Sequence, residues 1–249
     1  RSSPDVIGQA PTTSYQRTTY EFPDGTRIGA RLFGLALLRY LHDQAKSESS
    51  LVPPDKVVVL GTSGSAWDNL VAEIAASAPN LPTLVSRQAE PTGVARTDLA
   101  PFVDLVKTAL ASRHGVTQVA LEIIPYSFET TEQISFIRLI ASHVSRGDYM
   151  TFDVTNGFRH LPLVSITAAS VVERLTGAVR AGTWYGAHDH PRRWSERIAP
   201  VVKLDGLDQI GEWLGALAEF DADGSYGRFG RLLKRDGLPH KSATMLRDA

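Results

Sequence analysis

Two segments of this chain pass from a short apolar run, through a loop of small polar residues, into a helical pattern. The first run is Lys56–Leu60, and it leads into the loop Gly61–Ser65. The second run ends at Asp153, and it leads through the turn 155–157 to a helical pattern that begins at Pro162. A continuous apolar run is typical of a parallel strand buried on both faces. These segments therefore predict strand–loop–helix units.

The rest of the chain continues this alternation. We expect a short strand or a hairpin arm at 15–22, followed by a turn at Pro23–Gly25. We also expect loops at 79–92 and in the basic segment 188–197, and 224–249 is only weakly patterned. Further helical patterns occupy 29–45, 66–76, 97–113, 130–146, 162–175 and 207–220, and further strand patterns occupy 116–124, 179–187 and 198–204. Strands that alternate with helices predict an α/β fold with a Rossmann-like, doubly wound, mostly parallel sheet and helices on both faces.

The same patterns suggest a domain organisation. We expect an N-terminal arm over 1–28, a Rossmann domain over 29–205, and a C-terminal helical extension or linker over 206–249. The chain begins with Arg1 rather than methionine, so we expect that its original first residues have been lost.

Composition limits the classes of function. The formal net charge is −1, so no overall field indicates a nucleic-acid or membrane partner. Cysteine is absent, which excludes disulfides and thiolate metal sites and fits a reducing compartment. We see neither a signal peptide nor a run of about 18 apolar residues. We therefore expect a cytoplasmic protein with no membrane partner.

The second junction has the features of an anion site. Ligands of open α/β sheets usually bind at the carboxyl ends of the strands, where helix N-termini favour negative charge. Arg159 adds a bidentate phosphate donor, although it could instead pair with a nearby acid. Thr155 and Asn156 supply hydrogen bonds, and Gly157 lets a ligand approach the backbone. We therefore expect a phosphate-bearing, nucleotide-like ligand.

The first junction offers a second set of phosphate contacts. Backbone amides and hydroxyls of Thr62, Ser63, Gly64 and Ser65 could hold phosphates. The loop matches neither the Walker pattern, nor Gly-x-Gly-x-x-Gly, nor the Gly-x-Ser-x-Gly elbow of hydrolases. The alternative is a tight turn in which a serine caps the following helix.

Aromatic side chains near these junctions could stack on bases. Tyr15, Trp67 and Tyr126 are the candidates, and Trp67 is favoured because it lies one turn into the helix that follows the first loop. Asp153 could be a general base or a metal ligand, but we favour a carboxylate that caps its own turn or the next helix. The segment His188–His190 has two ligand types of a metal site but no third, which favours a solvated loop. We expect no metal, cofactor or catalytic residue.

The stretch Asp153-Val-Thr-Asn-Gly-Phe-Arg-His-Leu-Pro162 resembles the Asp-x-Thr-His-Gly signature of CRISPR-associated Rossmann-fold (CARF) sensor proteins, often continued by Phe-Arg and a proline. Weaker similarities extend over residues 14–220, in the family's order. They comprise the tyrosine-containing arm 14–25, the helix 32–41, the strand and loop 57–67, Gly182–Ala187 and the helix 207–220. Two features differ from the family. Asn156 replaces the usual histidine, and no strong apolar strand precedes Tyr15.

The resemblance implies a sensor for cyclic oligoadenylate, with cyclic tetra- or hexa-adenylate as the expected ring. Type III CRISPR complexes make such rings, and two CARF domains bind one ring as a homodimer that allosterically controls an effector domain in the same full-length chain. Nothing in 221–249 resembles a catalytic unit. The ligand contacts that we expect are Tyr15, Thr62, Ser63, Gly64, Ser65, Trp67, Tyr126, Thr155, Asn156, Gly157, Phe158 and Arg159.

Two other functions remain open at this stage. A metal-independent ring nuclease would cleave the bound ring by aligning a ribose 2′-hydroxyl with the adjacent phosphorus. Arg159, together with Ser63, Ser65 or Tyr15, could support that reaction. Outside the family, the chain could be a mononucleotide-binding α/β enzyme or a hydrolase, because a fold does not fix a function.

Overall fold

The fold is that of a computed structural model, which describes residues 15–75, 78, 80–158 and 160–235. The chain divides between Val202 and Lys203 into two compact units. The strands are β1 Thr18–Glu21, β2 Arg27–Ala30, β3 Lys56–Gly61, β4 Gln118–Ile123, β5 Tyr149–Asp153, β6 Val179–Gly186 and β7 Ile198–Lys203. The helices are α1 Phe33–Ser47, α2 Trp67–Ile74, α3 Leu81–Gln88, α4 Arg96–His114, α5 Thr130–Ser142, α6 Leu161–Thr176, α7 Pro191–Glu196, α8 Asp205–Asp223 and α9 Gly227–Arg235.

The strands pair mostly in parallel, which confirms the predicted Rossmann-like α/β fold. Five strands form one sheet in the order β2-β1-β7-β6-β5, and β3 pairs with β4 in a two-stranded sheet. The pairs β1–β7, β3–β4 and β5–β6 are parallel. Parallel partners end at the same edge of a sheet. The segments after β3 and β4 therefore share one edge, as do those after β5 and β6.

Of the two forms expected for 15–22, a short strand or a hairpin arm, the structure shows the hairpin. β1 and β2 are antiparallel and turn at Pro23–Gly25. The carboxylate of Asp24 accepts a hydrogen bond from the amide of Thr26, and Gly25 has a φ of +84°. Because β1 also pairs with β7, this part of the arm is an integral part of the five-stranded sheet.

Several helix and loop predictions need correction. The segment 79–92, predicted as a loop, contains α3. Its Pro82 lies at the second helical position, where a missing amide proton costs nothing. The predicted loop 188–197 contains the short helix α7, and the weakly patterned 224–249 contains α9. The first helix begins only at Phe33, because the residues before it belong to β2.

Three buried clusters hold the first unit together. The first joins α2 and α4 to the two-stranded sheet, with Trp67, Phe102 and Leu121 among its members. The second packs the β1–β2 hairpin and Trp184 against α1. The third packs α5 and α6 together, with Met150 of β5. These clusters fix the ends of β3, β4 and β5, from which the candidate site is built.

The second unit is a helical hairpin in its described part. Aromatic rings join α8 to α9, with Trp213 against Phe229 at a centroid distance of 5.8 Å. Phe220 of α8 also lies 4.6 Å from Tyr226, the residue before α9. Arg235 of α9 also pairs with Glu212 of α8. None of the helices in the described residues has the length and apolar character needed to span a membrane.

Candidate functional site

The loop after β3 is held by its own hydrogen bonds. The hydroxyl of Ser65 accepts a hydrogen bond from the amide of Thr62 at 2.9 Å, and the carbonyl of Thr62 accepts one from the indole of Trp67 at 3.0 Å. Trp67 is 2% exposed and fills the space beside Gly61, where an added Cβ atom would lie 2.6 Å from the indole. Ser65 therefore caps this turn rather than the helix that follows.

A second segment supports the loop from the outside. The amide of Val94 donates a hydrogen bond to the carbonyl of Ser63 at 2.8 Å. Gly93 has a φ of +68°, and a Cβ atom on it would lie 2.5 Å from the same carbonyl oxygen. Within the loop, Gly64 is exposed and Ser63 is half-buried. The loop therefore presents a small polar surface, and hydrogen bonds and packing hold it in position.

The turn after β5 is anchored in the same way. Asp153 accepts a hydrogen bond from the amide of Thr155 at 2.8 Å, so of the two capping roles that we favoured it has the first, the cap of its own turn. The hydroxyl of Thr155 is buried and accepts a hydrogen bond from the amide of Gly186 at 2.8 Å. Gly157 has a φ of +122°, which favours glycine. Asn156, Gly157 and Phe158 are exposed, whereas Arg159 lies outside the described residues.

Tyr126, which follows β4, joins the loop to the turn. Its phenol oxygen lies 3.3 Å from the hydroxyl oxygen of Ser63. Its carbonyl oxygen accepts a hydrogen bond from Nε2 of His160 at 2.7 Å, and its ring lies 5.6 Å from that of Phe158. A Cβ atom on Gly64 would come within 2.9 Å of the phenol oxygen. The two junctions therefore meet at one edge of the first unit, although their strands belong to different sheets.

Four rings form a closed cycle beside this meeting point. Tyr126 contacts Phe128 and Phe158, and His160 contacts the same two phenylalanines, at centroid distances from 5.2 to 6.1 Å. Phe128 is 69% exposed and Phe158 is 49% exposed. Phe128 and His160 are not among the predicted ligand contacts. The available signal was their position, since each lies between the carboxyl end of a strand and the start of the next helix.

Asp153 is exposed at the end of β5, and α1 approaches its carboxylate. A Cβ atom on Gly34, in the first turn of α1, would lie 3.0 Å from its Oδ2. Burial raises the pKa of Asp153, while hydrogen bonds from Thr155 and the charge of His188 act in the opposite direction. The carboxylate is therefore a structural part of the turn that solvent can still reach.

Three predicted ligand contacts lie behind this surface. Thr62, Trp67 and Thr155 are buried, and their polar atoms bond to neighbouring parts of the frame. Trp67 in particular has no open ring face for a base. These residues support the loop and the turn from their buried side. The predicted contacts with open or half-buried surface at this edge are Ser63, Gly64, Ser65, Tyr126, Asn156, Gly157 and Phe158.

Tyr15 lies beside α2. Its backbone amide donates a hydrogen bond to Oδ1 of Asn69, in the first turn of that helix, at 3.0 Å. Its side chain is exposed. Tyr15 therefore flanks the helix that follows the first loop.

Hydrogen bonds join the end of β6 to the segment that follows it, and others form within that segment. The phenol of Tyr185 donates a hydrogen bond to Asp189 at 2.8 Å, and Nδ1 of His190 accepts one from the amide of Arg192 at 3.2 Å. Within the described residues, no three acidic or histidine side chains come together as a metal site. The edge where the two junctions meet offers backbone amides, hydroxyls and aromatic faces to a ligand.

Two comparisons with known proteins bear on this site. Residues 5–182, more than half of the chain, match the family model described as the CARF domain of the CRISPR system endoribonuclease Csx1. The chain is also similar to the CRISPR-associated protein MJ1674 of Methanocaldococcus jannaschii, with 24% identity over 196 residues. That alignment covers 73% of this chain and 31% of the archaeal protein. The chain thus spans about a third of that relative's length.

Proposed function

The chain belongs to the Csx1 CARF domain family, and we propose that it is a sensor domain that binds cyclic oligoadenylate across a homodimer. The sensor role follows from membership of a family associated with type III CRISPR systems. The identity of the ring, the dimer and the control of an effector domain belong to the proposal. Cyclic tetra- or hexa-adenylate is the expected ligand.

One observation carries the proposal. Tyr126 contacts both the loop 62–65 and the segment that begins α6, so two strand-to-helix junctions face one ligand surface. A strand-to-helix junction presents amides to anions, and the N-terminal dipole of the helix favours negative charge. Two such junctions side by side suit a ligand with more than one phosphate. This accounts for anion binding by a chain whose formal net charge is −1.

A ring of identical nucleotides also suits a dimer. A ring with an even number of nucleotides can have twofold symmetry, and a homodimer can then contact it twice with the same residues. Each chain would contribute Ser63, Gly64, Asn156 and Gly157 to the phosphates. The neighbouring exposed rings would lie against the bases.

The relative's greater length supports an effector domain in the full-length protein. Because the chain aligns with about a third of that protein, the remaining two thirds could carry the output of the sensor. Binding at the shared edge of two chains would change their relative orientation, and an attached domain would respond to that change.

Isothermal titration calorimetry of the chain with cyclic tetra- and hexa-adenylate tests the proposal. We expect saturable binding of one of these rings with roughly one ring per two chains. Linear tetra-adenylate is the matched control, and it should bind more weakly because it loses more conformational freedom on binding. Absence of binding by rings of either size would refute the proposal.

A second candidate function is cleavage of the bound ring. The hydroxyls of Ser63 and Tyr126 lie 3.3 Å apart at the ligand surface, where they could stabilise charge at a phosphate. In this reaction the 2′-hydroxyl loses its proton as it bonds to phosphorus, the bond to the 5′-oxygen breaks, and that oxygen gains a proton. Chromatography after incubation would detect linear products with cyclic phosphate ends. A ring that stays intact through long incubation would exclude this function.

A further inference from the structure

The cycle of four aromatic side chains beside the two junctions is held in place by the protein itself. Ser127, between Tyr126 and Phe128, is buried and has a φ of +61°, a conformation that non-glycine residues rarely adopt. The carboxylate of Glu132 accepts hydrogen bonds from the amides of Phe128 and Glu129, at 2.9 and 3.3 Å. Strained backbone held by its surroundings often occurs at functional sites. These bonds fix the position of Phe128 although its ring is largely exposed.

The planes of Tyr126 and Phe128 are nearly parallel, with an angle of 11° between them. Phe128 and His160 complete the cycle with an angle of 34° at 5.2 Å. An exposed ring of this kind can take a nucleobase on its open face, since every base has a π-face. The hydroxyls of Ser63 and Tyr126 lie beside it for the sugar and phosphate.

The tautomer of His160 follows from its partner. A carbonyl oxygen only accepts hydrogen bonds, so Nε2 of His160 carries the proton that it donates to Tyr126. In the neutral ring, Nδ1 is then an acceptor, and ring geometry directs it away from that carbonyl. Within the described first turn of α6, the His160 side chain makes no capping bond. Nδ1 therefore suits a ligand that presents an N–H donor.

We propose that Phe128 and His160 form an adenine-binding platform, in which the base stacks on Phe128 and its N6 amino group donates to Nδ1 of His160. This rests on the proposed function and adds two residues and a basis for base selection to it. Hypoxanthine has an oxygen in place of the N6 amino group. That oxygen and Nδ1 of His160 would both be acceptors, so no hydrogen bond could form between them. The platform thus distinguishes adenine from hypoxanthine.

Exposed aromatic rings also suit a contact between subunits, and the experiment must separate the two roles. The hydroxyl pair beside the rings favours a ligand that combines an apolar plane with polar groups. We therefore assign the platform to the base, and the subunit contact becomes an outcome of the test.

The first measurement compares Phe128→Ala with Tyr149→Ala. Tyr149 is 74% exposed and lies at the opposite end of β5 from the turn, so it is a matched exposed aromatic. By calorimetry with cyclic tetra- and hexa-adenylate, Phe128→Ala should weaken binding roughly ten- to hundredfold, the loss typical of one stacked base. Tyr149→Ala should bind like the wild type. Equal affinity of wild type and Phe128→Ala would overturn the platform and leave the proposed sensor function intact.

Light scattering on the same samples reports the subunit count. We expect the same mass for wild type and Phe128→Ala. A shift of Phe128→Ala to a smaller assembly would overturn the assignment in favour of a subunit contact. If the wild type binds no ring at all, the proposed function fails and the platform fails with it.

The second measurement tests base selection by His160. The wild type should bind an adenylate ring roughly tenfold or more tightly than the inosinate ring of the same size, since an unpaired buried acceptor is costly. His160→Phe retains an aromatic ring and removes Nδ1, so it should bind the two rings alike. An unchanged preference for adenylate in His160→Phe would remove His160 from base selection.

Discussion

The phenol oxygen of Tyr126 lies 3.3 Å from the hydroxyl oxygen of Ser63, across 63 positions of sequence. Ser63 belongs to the loop after β3, and Tyr126 follows β4, which pairs in parallel with β3. The same tyrosine accepts a hydrogen bond from His160, at the start of α6. This residue therefore sets the distance between the two junctions.

The contact between Ser63 and Tyr126 should be measurable as a coupling energy. A double-mutant cycle of Ser63→Ala and Tyr126→Phe, measured by urea unfolding, should give about 0.5–1.5 kcal/mol, the net contribution of a typical hydrogen bond. Each variant removes one hydroxyl and keeps the surrounding shape. Additivity within about 0.3 kcal/mol would show that the two hydroxyls do not interact in solution.

Gly93 should be less replaceable than Gly25. Both residues have positive φ, so alanine at either position costs about 1–2 kcal/mol of stability. An added Cβ atom meets nothing within 4 Å at Gly25, whereas at Gly93 it lies 2.5 Å from the carbonyl oxygen of Ser63. Gly93→Ala should therefore cost roughly 2 kcal/mol more than Gly25→Ala, as overpacking does elsewhere. Equal costs in urea unfolding would mean that Gly93 does not support the loop.

Protonation of His114 should destabilise the fold. Its ring lies 5.7 Å from that of His42, and burial lowers the pKa of His114 below 6.5; His42, Arg113 and Arg39 add to this shift, and Asp43 opposes it. The unfolded chain thus takes up the proton more readily than the folded chain. Stability should be fully present above about pH 6.5 and should decline as the pH falls through the lowered folded pKa.

Urea unfolding midpoints between about pH 8 and pH 5 would measure this effect. His114→Gln, which cannot take up a proton, should reduce the decline in that window. The same pH dependence in wild type and variant would assign the decline to other groups.

Arg159, although outside the described residues, remains a predicted phosphate contact from its place in the sequence. Arg159→Ala should weaken ring binding by about 1.5–3 kcal/mol, the range for charge-assisted hydrogen bonds. Arg174, an exposed arginine in the last turn of α6, provides the matched control. Arg174→Ala should leave the calorimetric affinity unchanged. Equal losses in the two variants would indicate a general effect of charge rather than a specific contact.

Local sequence was sufficient where one segment determines its own structure. The apolar run Lys56–Leu60 predicted a strand, and it forms β3, although its residues are half-buried rather than buried on both faces as predicted. The residues Pro23–Gly25 predicted the hairpin turn, since their conformational preferences are local. The segment 153–157 predicted a capping role for Asp153, and the hydrogen bond from the Thr155 amide shows that Asp153 caps its own turn.

The remaining features depend on residues that are distant in sequence. Trp67 is the first residue of α2, a position from which its ring could face either solvent or core, and the space beside Gly61 places it in the core. Phe128 lies beside the two junctions because Ser127 adopts positive φ and Glu132 accepts hydrogen bonds from the following amides. Neither condition has a sequence pattern. The position of Tyr126 between two sheets likewise follows from packing rather than from its neighbours in the chain.

Hydrogen–deuterium exchange tests most directly whether the two junctions bind one ligand. The amides of residues 62–65 and of residues 156–158 would be followed with and without cyclic tetra- or hexa-adenylate, with β1 and β2 as the internal reference. We expect that whichever of the two rings binds will slow exchange in both segments together and will leave exchange in the β1–β2 hairpin unchanged. Slower exchange in only one of the two segments, or in neither, would contradict this expectation.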